Sequence, residues 1–568
     1  MTQLKKIIEN AAPKRLFNIF LTIWMVINFV QAIFTEITDD EAYYASLYGA
    51  QLAWGYFDHP PMVALITFLS DFFSFGNLSV RLFTIILQVC TIHFLWKLID
   101  EHAPCVNKVV LFFTIAASMI MFTAYGFITA PDAPLLFFAT LFLYGYRRFL
   151  KQESWTNTLL LAVSMTGMIY SKYHAFIIIG LVLLSNLKLL KSYRAWLAVV
   201  ATAAMLVPHI LWQTEMDFVT FKYHLIGRSF GFHWNEFLGH LPNQLVVFNP
   251  LAIGAVAYIV VKYRPRNLFE RALYFQIIGF QIFFFLMTFK GYVQPHWTAP
   301  TTMAMIILLY RHSLTNEKIL RFVKRWVAPT ILLVLVARVL LVTELLPERV
   351  RFHGKERTNK AIEVAAGDLP VVFTGSFQRP SAYRYFTKNE GFVLSAVTSR
   401  ITQFDIMQRE LDYHGKSVFI RDDREGVARQ YNINGVMFTG YITHNLQTVN
   451  RLQIDYELAV AGADSNDTLT VEIEITNPCA FDVDFNHPEF PVRVRAFYAI
   501  KRKTFFSECE LNEPIAVLRS GETVKRRLQT TVPALEAGKY QFTLTLDNTI
   551  CAAVNSFYSL IAINKNDR

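Results

Sequence analysis

The sequence is poor in cysteine and in charged residues. Its 568 residues include five cysteines, and charged side chains make up only 17% of the chain. Cys90 and Cys105 lie in or beside apolar segments, whereas Cys479, Cys509 and Cys551 are far apart near the end. This spacing argues against a zinc site and allows at most one disulfide. The sequence also has no internal repeat.

Long apolar runs dominate the sequence. Hydrophobic residues make up 53% of the chain and aromatic residues 15%, including 50 phenylalanines. This composition is too apolar for one soluble domain and predicts a polytopic α-helical membrane protein. The formal net charge of +10 could suggest nucleic acid, but the basic residues lie at the ends of apolar segments. We therefore expect a membrane protein with no nucleic-acid partner.

Eleven apolar segments predict membrane passages, because a helix needs about 20 apolar residues to cross the hydrocarbon core. They run near residues 16–35, 79–97, 108–127, 132–150, 157–172, 174–190, 195–213, 244–262, 270–289, 296–311 and 326–346. The first has no small-residue cleavage site after it, which predicts a retained anchor and not a removed signal peptide. The shorter apolar piece 61–73 better fits a helix lying along the interface.

Lysine and arginine mark one end of these segments. With the N-terminus inside, twenty-one basic residues lie at the inner ends and five lie on the opposite face. Because cytoplasmic loops carry the excess of basic residues, we expect a multi-pass protein of the cell inner (cytoplasmic) membrane with everything after about residue 346 in the periplasm. The five outer basic residues are Arg81, Lys172, Lys222, Arg228 and Lys290.

The last third of the chain has shorter apolar runs. Segments such as "PVVFTG" and "KSVFIRD" alternate with helical stretches, which predicts a small α/β domain over 347–440. Alternating strands such as "TLTVEIEITN" and "YQFTLTLDNT" then predict an immunoglobulin-like β-sandwich over 441–568. Residues 1–346 would form the transmembrane domain, and neither C-terminal part contains a Gly-rich phosphate loop.

Acidic and aromatic residues collect on the face that lacks the basic anchors. The first outer loop reads "TEITDDEAYYASLYGAQLAWGYFDHPPMVALITFL", and further outer segments read "TAPDAP", "YSKYH" and "QPHW". Polar groups at membrane depth on one side are what a reaction centre at the outer leaflet requires. The candidate site residues are Asp40, Glu41, Tyr43, Tyr44, Tyr56, Asp58, His59, Asp132, Lys172, His296 and Trp297.

Most of these residues also have a purely structural interpretation. Asp40 and Glu41 could cap a helix or oppose an inverted topology. Asp132 could be an N-cap beside prolines, and Lys172 could extend to the membrane surface. The histidines and Trp297 could bond a loop or anchor the chain at the interface. What favours a site is that all of them share one face.

The motifs resemble those of the GT-C glycosyltransferases. The matching features are an Asp-Glu pair after the first apolar segment, "YFDHPP" in the same loop, an acid in the next outer loop, a Lys after it and "QPHW" before a late helix. The resemblance is closer to the branch of protein O-mannosyltransferases and aminoarabinose-to-lipid-A transferases, and it covers about the first 346 residues. It implies an integral membrane enzyme that moves a sugar from a polyprenyl-phosphate donor to a lipid, glycan or protein acceptor of the cell envelope.

The resemblance also implies roles for single residues. A polyprenyl phosphate is already a good leaving group, so one carboxylate base suffices, and the match points to Asp40. Glu41 would orient the loop and Asp132 would hold the acceptor or a metal. His59, Lys172 and His296 would face the donor phosphate. The remaining candidates, Tyr43, Tyr44, Tyr56, Asp58 and Trp297, would contact substrate.

Two features leave alternatives open. The aminoarabinose transferases carry a Lys before the Pro-Pro and an Arg shortly after the Asp-Glu pair, where this chain has His59 and Ala42 or Tyr43. Whether Asp40 and Asp132 hold a divalent metal ion also stays open.

The competing hypothesis for the class of protein is a flippase or transporter of a lipid-linked sugar, but the chain does not show the two halves of matching hydropathy that transporters usually have. An anchor for an outer receptor domain would need only one passage.

Overall fold

The computed structural model describes residues 2–99, 105–224, 232, 234–343, 345, 353–422, 428–458, 462–500 and 503–564, with side chains from Ala12 onwards. The chain divides into two compact units, Met1–Gly354 and Lys355–Arg568. The predicted boundary at 346/347 and the outer residue Arg228 lie outside the described residues. The division of the C-terminal part into two domains stays a prediction.

The first unit is helical throughout. Its helices are α1 Thr2–Phe34, α2 Asp39–Tyr43, α3 Met62–Phe73, α4 Leu78–Ile99, α5 Val106–Ser118, α6 Ile120–Ala124, α7 Asp132–Lys151, α8 Trp155–Ser171, α9 Ala175–Ser185, α10 Tyr193–Glu215, α11 Val219–Lys222, α12 Trp234–Phe248, α13 Pro250–Lys262, α14 Leu268–Met287, α15 Thr302–Thr315, α16 Glu317–Phe322 and α17 Thr330–Val342. A π-helical turn, Tyr44–Gly49, follows α2, and a 3-10 helix, Pro295–Thr301, precedes α15.

Five helices in the described part of the chain are long and apolar enough to cross a membrane. They are Ala12–Phe34, Leu78–Ile99, Tyr193–Glu215, Leu268–Met287 and Glu317–Val342. The pair α12 and α13 would be a sixth, but the two helices meet at 104°. Helices overlap all eleven predicted passages, and the count of eleven stays a prediction.

The bend interrupts the predicted passage 244–262, so this passage is not one continuous helix. Asn249, between α12 and α13, has φ 109°, and its side chain accepts hydrogen bonds from Leu251 N and Ala252 N. Pro250 then starts α13, a position at which its missing N–H costs nothing. The hydropathy of the segment is continuous across the bend, so composition alone did not reveal it.

Helix α15 lies at the centre of the unit. From Met303 to Tyr310 no residue is more than 1% exposed. A helix buried on every face is the core of a large bundle.

Helix α3 packs on the π-helical turn that follows α2, where a Cβ at Gly49 would come 2.5 Å from Thr67 Oγ1. The loop between α2 and α3 is therefore held against the helices.

The second unit begins with an α/β part. Its five-stranded sheet has the order β2-β1-β3-β5-β4, with β1 Val371–Thr374, β2 Gly391–Leu394 and β3 Val418–Arg421 parallel. A hairpin of β4 Arg429–Ile433 and β5 Val436–Thr443 completes the sheet. Its turn is Asn434-Gly435, both with positive φ, as two-residue hairpins prefer. The helices are α18 Lys355–Ala366, α19 Gln378–Thr387, α20 Gln403–Met407 and α21 Arg409–Tyr413.

The rest of the second unit is β-structure. The strands are β6 Gln453–Tyr456, β7 Gly462–Ala463, β8 Thr468–Thr476, β9 Val483–Asp484, β10 Arg493–Ile500, β11 Lys503–Leu511, β12 Val517–Leu518, β13 Thr523–Thr531, β14 Gly538–Asp547 and β15 Ser559–Ile563. Along β8, Leu469, Val471, Ile473 and Ile475 are buried and alternate with more exposed residues. The described strands form an eight-stranded sheet, β6-β8-β13-β11-β10-β14-β15-β7, and a two-stranded one. The immunoglobulin-like assignment stays a prediction.

All five cysteines lie in described ranges, and all are free thiols.

Candidate functional site

A buried ion pair holds the first outer loop in place. Arg81 of α4 donates from Nε to Glu41 Oε1 at 2.7 Å and from Nη2 to Oε2 at 2.6 Å. Neither side chain has any exposed surface. Glu41 also accepts from the backbone N–H groups of Thr38, at 3.0 Å, and Thr129, at 2.8 Å. Glu41 thus accepts four hydrogen bonds, which fits a positioning role and leaves it poorly suited to be a base.

Asp40, one residue earlier on α2, is exposed. Thr38 caps this short helix with a capping box that uses Glu41 and not Asp40. The cap and the Arg81 pair therefore fix the backbone on both sides of Asp40 while its carboxylate faces outward. The interpretation of the Asp-Glu pair as a helix cap holds for Glu41, whose side chain completes the capping box.

Asp132 is the centre of a cluster of cationic and ionisable groups. It starts α7 and is only 2% exposed. Lys172, just after α8, donates from Nζ to both carboxylate oxygens at 2.9 and 2.8 Å. His296 Nε2 lies 4.0 Å from Asp132 Oδ2, and His59 also acts electrostatically on Asp132. Four predicted site residues, separated by up to 237 positions, are therefore brought together.

Tyrosines of the first loop form a buried network. Tyr48 donates to Asp58 Oδ1 at 2.5 Å, and its hydroxyl oxygen lies 3.2 Å from that of Tyr43. Tyr48 and Tyr56 stack with ring centroids 4.0 Å apart. Tyr43, Tyr56 and Asp58 are at most 5% exposed. Their geometry is that of a loop core, and their predicted contact with substrate stays a prediction.

Tyr44 differs from the other tyrosines because it faces His59. Its hydroxyl lies 3.3 Å from His59 Nε2, and the two rings meet edge to face. Only 7% of Tyr44 is exposed, whereas His59 is half-buried. Tyr44 therefore sets the orientation of His59 at the edge of the Asp132 cluster.

A second network fixes the loop to α10. His209 contacts Trp54 O through Nδ1 at 2.6 Å and the Tyr173 hydroxyl through Nε2 at 2.9 Å. Gly55 packs directly on Trp212, because a Cβ there would come 2.3 Å from the indole ring. The loop that carries His59 is thus held from α10 as well as from α3.

Trp297 supports the segment that carries His296. Its Nε1 donates to Gln294 Oε1 at 2.8 Å, and its ring contacts His174 and Phe284. His296 itself keeps 32% of its side chain exposed. Trp297 therefore acts in the structure as packing behind His296, and its contact with substrate stays a prediction.

Within the described ranges, no three His, Cys, Asp or Glu side chains are placed to hold a metal ion. The suggestion that Asp40 and Asp132 bind a divalent metal stays untested.

Sequence reasoning missed three residues of this region. Arg81 was counted only as an outer basic residue, although it is the partner of Glu41. Tyr125 is 5% exposed and acts electrostatically with both Asp132 and Asp40. His209 lies in a long apolar helix, as Arg81 does. A polar residue inside such a helix is the signal that could have found Arg81 and His209.

Comparison with known proteins agrees with this architecture. A family model described as dolichyl-phosphate-mannose-protein mannosyltransferase matches residues 58–212. The structure of ArnT from Cupriavidus metallidurans in the apo state is similar, with TM-score 0.55 and 13% identity over 77% of this chain and 98% of that one. The same enzyme bound to undecaprenyl phosphate gives TM-score 0.56 and 13% identity over 74% and 97%. No curated protein sequence matches significantly.

The match over residues 58–212 and the fold shared with ArnT support the prediction of a GT-C membrane glycosyltransferase, and the second unit is rich in β-structure as predicted. The family match also supports, in general form, the prediction of an enzyme that depends on a polyprenyl-phosphate sugar.

Proposed function

We propose that this GT-C membrane glycosyltransferase transfers a sugar from a polyprenyl-phosphate donor to an envelope lipid, glycan or protein at the outer face of the cytoplasmic membrane, with Asp40 as the single base. The observation that carries the proposal is a contrast among carboxylates. Glu41 is saturated by Arg81 and backbone donors, and Asp132 is paired with Lys172. Asp40 precedes Glu41 on α2, is exposed, and acts electrostatically with Tyr125, on which Asp132 also acts.

In the proposed reaction, an acceptor hydroxyl attacks the anomeric carbon of the donor sugar. The new bond joins the acceptor oxygen to that carbon, and the bond from the carbon to the phosphate oxygen breaks. Asp40 takes the hydroxyl proton, and the polyprenyl phosphate leaves as an anion. No acid is required at the leaving group, because the phosphate is stable without a proton.

The Asp132 cluster would receive the phosphate. Lys172 supplies a cation, and His59 and His296 supply imidazoles that can be protonated. Such preorganised donors stabilise the charge that develops on the leaving group. Asp132 holds the Lys172 ammonium in position through both carboxylate oxygens, so we assign Asp132 to placing this cation and not to acting as a second base.

The experiment is sugar transfer by the purified chain in liposomes. Radiolabelled polyprenyl-phosphate sugars are supplied with an envelope acceptor fraction, and the label is followed in both lipid and acceptor. Transfer of the label to the acceptor supports the proposal. Label that crosses between leaflets but stays on the lipid would instead identify a flippase.

A further inference from the structure

Arg338 of α17 is a buried cation within an apolar helix. Its side chain is 8% exposed, and Nη2 donates to Asn28 Oδ1 at 2.8 Å and to Thr123 O at 2.7 Å. The guanidinium lies over the Phe127 ring, 4.8 Å from its centroid. In the described ranges no carboxylate pairs with it. A buried charge with no carboxylate partner among the described residues is costly, so its presence in an apolar helix points to a function.

The contacts of Arg338 join three parts of the chain. Asn28, on α1, is 1% exposed, and Gln31, one turn later, donates to the backbone oxygen of Arg338 at 3.1 Å. Gly126 packs closely against two of these residues, because a Cβ there would come 2.6 Å from Asn28 Nδ2 and 3.1 Å from Thr123 O. Helices α1 and α17 therefore hold the segment that follows α6.

The same segment leads directly into the candidate site. Tyr125, between Thr123 and Phe127, acts electrostatically with Asp132 and Asp40. Thr129 N donates to Glu41 Oε1 at 2.8 Å. The segment is thus held at its start by Arg338 and near its end by Glu41, with Tyr125 between these two attachments.

We propose that Arg338 is a positioning residue for sugar transfer: it holds 123–127 so that Tyr125 and Asp132 keep their places beside Asp40. This inference rests on the proposed function for its catalytic consequence. A displacement of about 1 Å at reacting groups can cost about 10²-fold in rate. Arg338 touches no reacting atom, so its removal should lower kcat more than it raises the KM for the donor.

The test compares Arg338→Met with Arg338→Lys and with a matched control, Arg147→Met. Arg147 also donates to a backbone oxygen, that of Leu98, and lies over an aromatic ring, Phe269, but at the predicted cytoplasmic end. Hydrogen exchange of 123–130 is measured in each full-length protein, and kcat and KM are measured in the transfer assay. We expect faster exchange and at least a tenfold lower kcat in Arg338→Met only, with most of the kcat recovered in Arg338→Lys.

Unchanged exchange of 123–130 in folded Arg338→Met would overturn the inference, and so would a wild-type kcat. If that variant does not fold, Asn28→Ala removes the side-chain acceptor of the same donor and must show the same changes. The exchange measurement needs no turnover. A wild-type protein that transfers no sugar would therefore sink the proposed function, while the exchange data still decide whether Arg338 holds the segment.

Discussion

Arg81 and Glu41 form a two-bond ion pair across forty positions of sequence, and neither side chain is exposed. Arg81 further donates to the backbone oxygens of Ala32, Thr35 and Glu36. One guanidinium therefore connects the end of α1, the turn before α2 and the carboxylate beside Asp40.

Replacing Arg81 by Met should destabilise the protein strongly. It leaves the Glu41 carboxylate buried without its counter-ion, which typically costs about 3–5 kcal/mol. Thermal unfolding of the detergent-solubilised protein measures the loss. Lys222→Met, which removes an exposed cation paired with Asp217, is the control and should change little. Equal stability of the two variants would contradict the account of this pair.

Asp40→Asn should abolish transfer with little loss of stability or of donor binding. The amide keeps the size of the side chain and removes its basicity, and loss of a general base typically costs about 10²- to 10⁴-fold in rate. Single-turnover transfer and a separate donor-binding assay measure the two effects. Near wild-type transfer would move the role to another group, and lost donor binding would point to a ligand role.

His59→Ala should weaken use of the donor, and His59→Lys should restore it. A lysine stays charged where an ordinary histidine, with a pKa of about 6.5, loses its proton. The activity of His59→Lys should therefore decline less as the pH rises above that range. A wild-type pH profile in His59→Lys would remove the phosphate-binding role proposed for His59.

His414 should make the second unit less stable in mild acid. Burial, with a smaller contribution from His487, lowers the pKa of His414 to about 4, and its ring stacks on Phe481 with centroids 3.6 Å apart. Between pH 6.5 and 4 the unfolded chain binds the extra proton, so stability falls as the pH falls. We expect a contribution of about 1–2 kcal/mol, because the ring is only partly buried.

Hydrogen exchange of 414–422 in the full chain, from pH 7 to 4, checks this prediction against His414→Gln. Burial raises the pKa values of Asp405 and Glu410, which act in the opposite direction. The informative quantity is therefore the difference in the exchange rate of 414–422 between the wild type and His414→Gln. A difference that does not change with pH would show that His414 does not carry the effect.

Asp40, Asp132, His296 and the second unit should all face the extracytoplasmic side. The reason is the split of twenty-one to five basic residues between the two faces. Single cysteines placed at residue 40 and in β15 should react with a membrane-impermeant reagent in intact cells. If both cysteines react only after the cells are lysed, the predicted orientation is wrong, and so is the proposed location of the site at the outer face.

Much of the site could be predicted because membrane topology places distant residues on one face. Asp132, Lys172, His59 and His296 share the outer face in the sequence pattern, and they meet in the structure. Topology does not say which side chains pair. Arg81 thus looked like one more outer basic residue, although its partner lies in another segment.

The burial of the loop tyrosines was not predictable for a related reason. Aromatic residues beside a membrane can face substrate, lipid or one another, and the sequence does not distinguish these three cases. Tyr43, Tyr48 and Tyr56 pack together because the loop folds back on α3. Arg338 was missed because one charge does not interrupt an otherwise apolar run.

Helix α12, which ends at the right-angle bend at Asn249, has two unlike sides. Trp234, Leu238 and Leu241 are each more than 60% exposed, whereas Gln244 is 1% exposed and accepts a hydrogen bond from Thr298 at 2.5 Å. Thr298 belongs to the same 3-10 helix as His296. Helix α12 therefore has an exposed apolar face and a buried polar face. In the proposed reaction, the lipid chain of the donor would lie on the first face and its sugar phosphate on the second, about one helix diameter, 10 Å, apart.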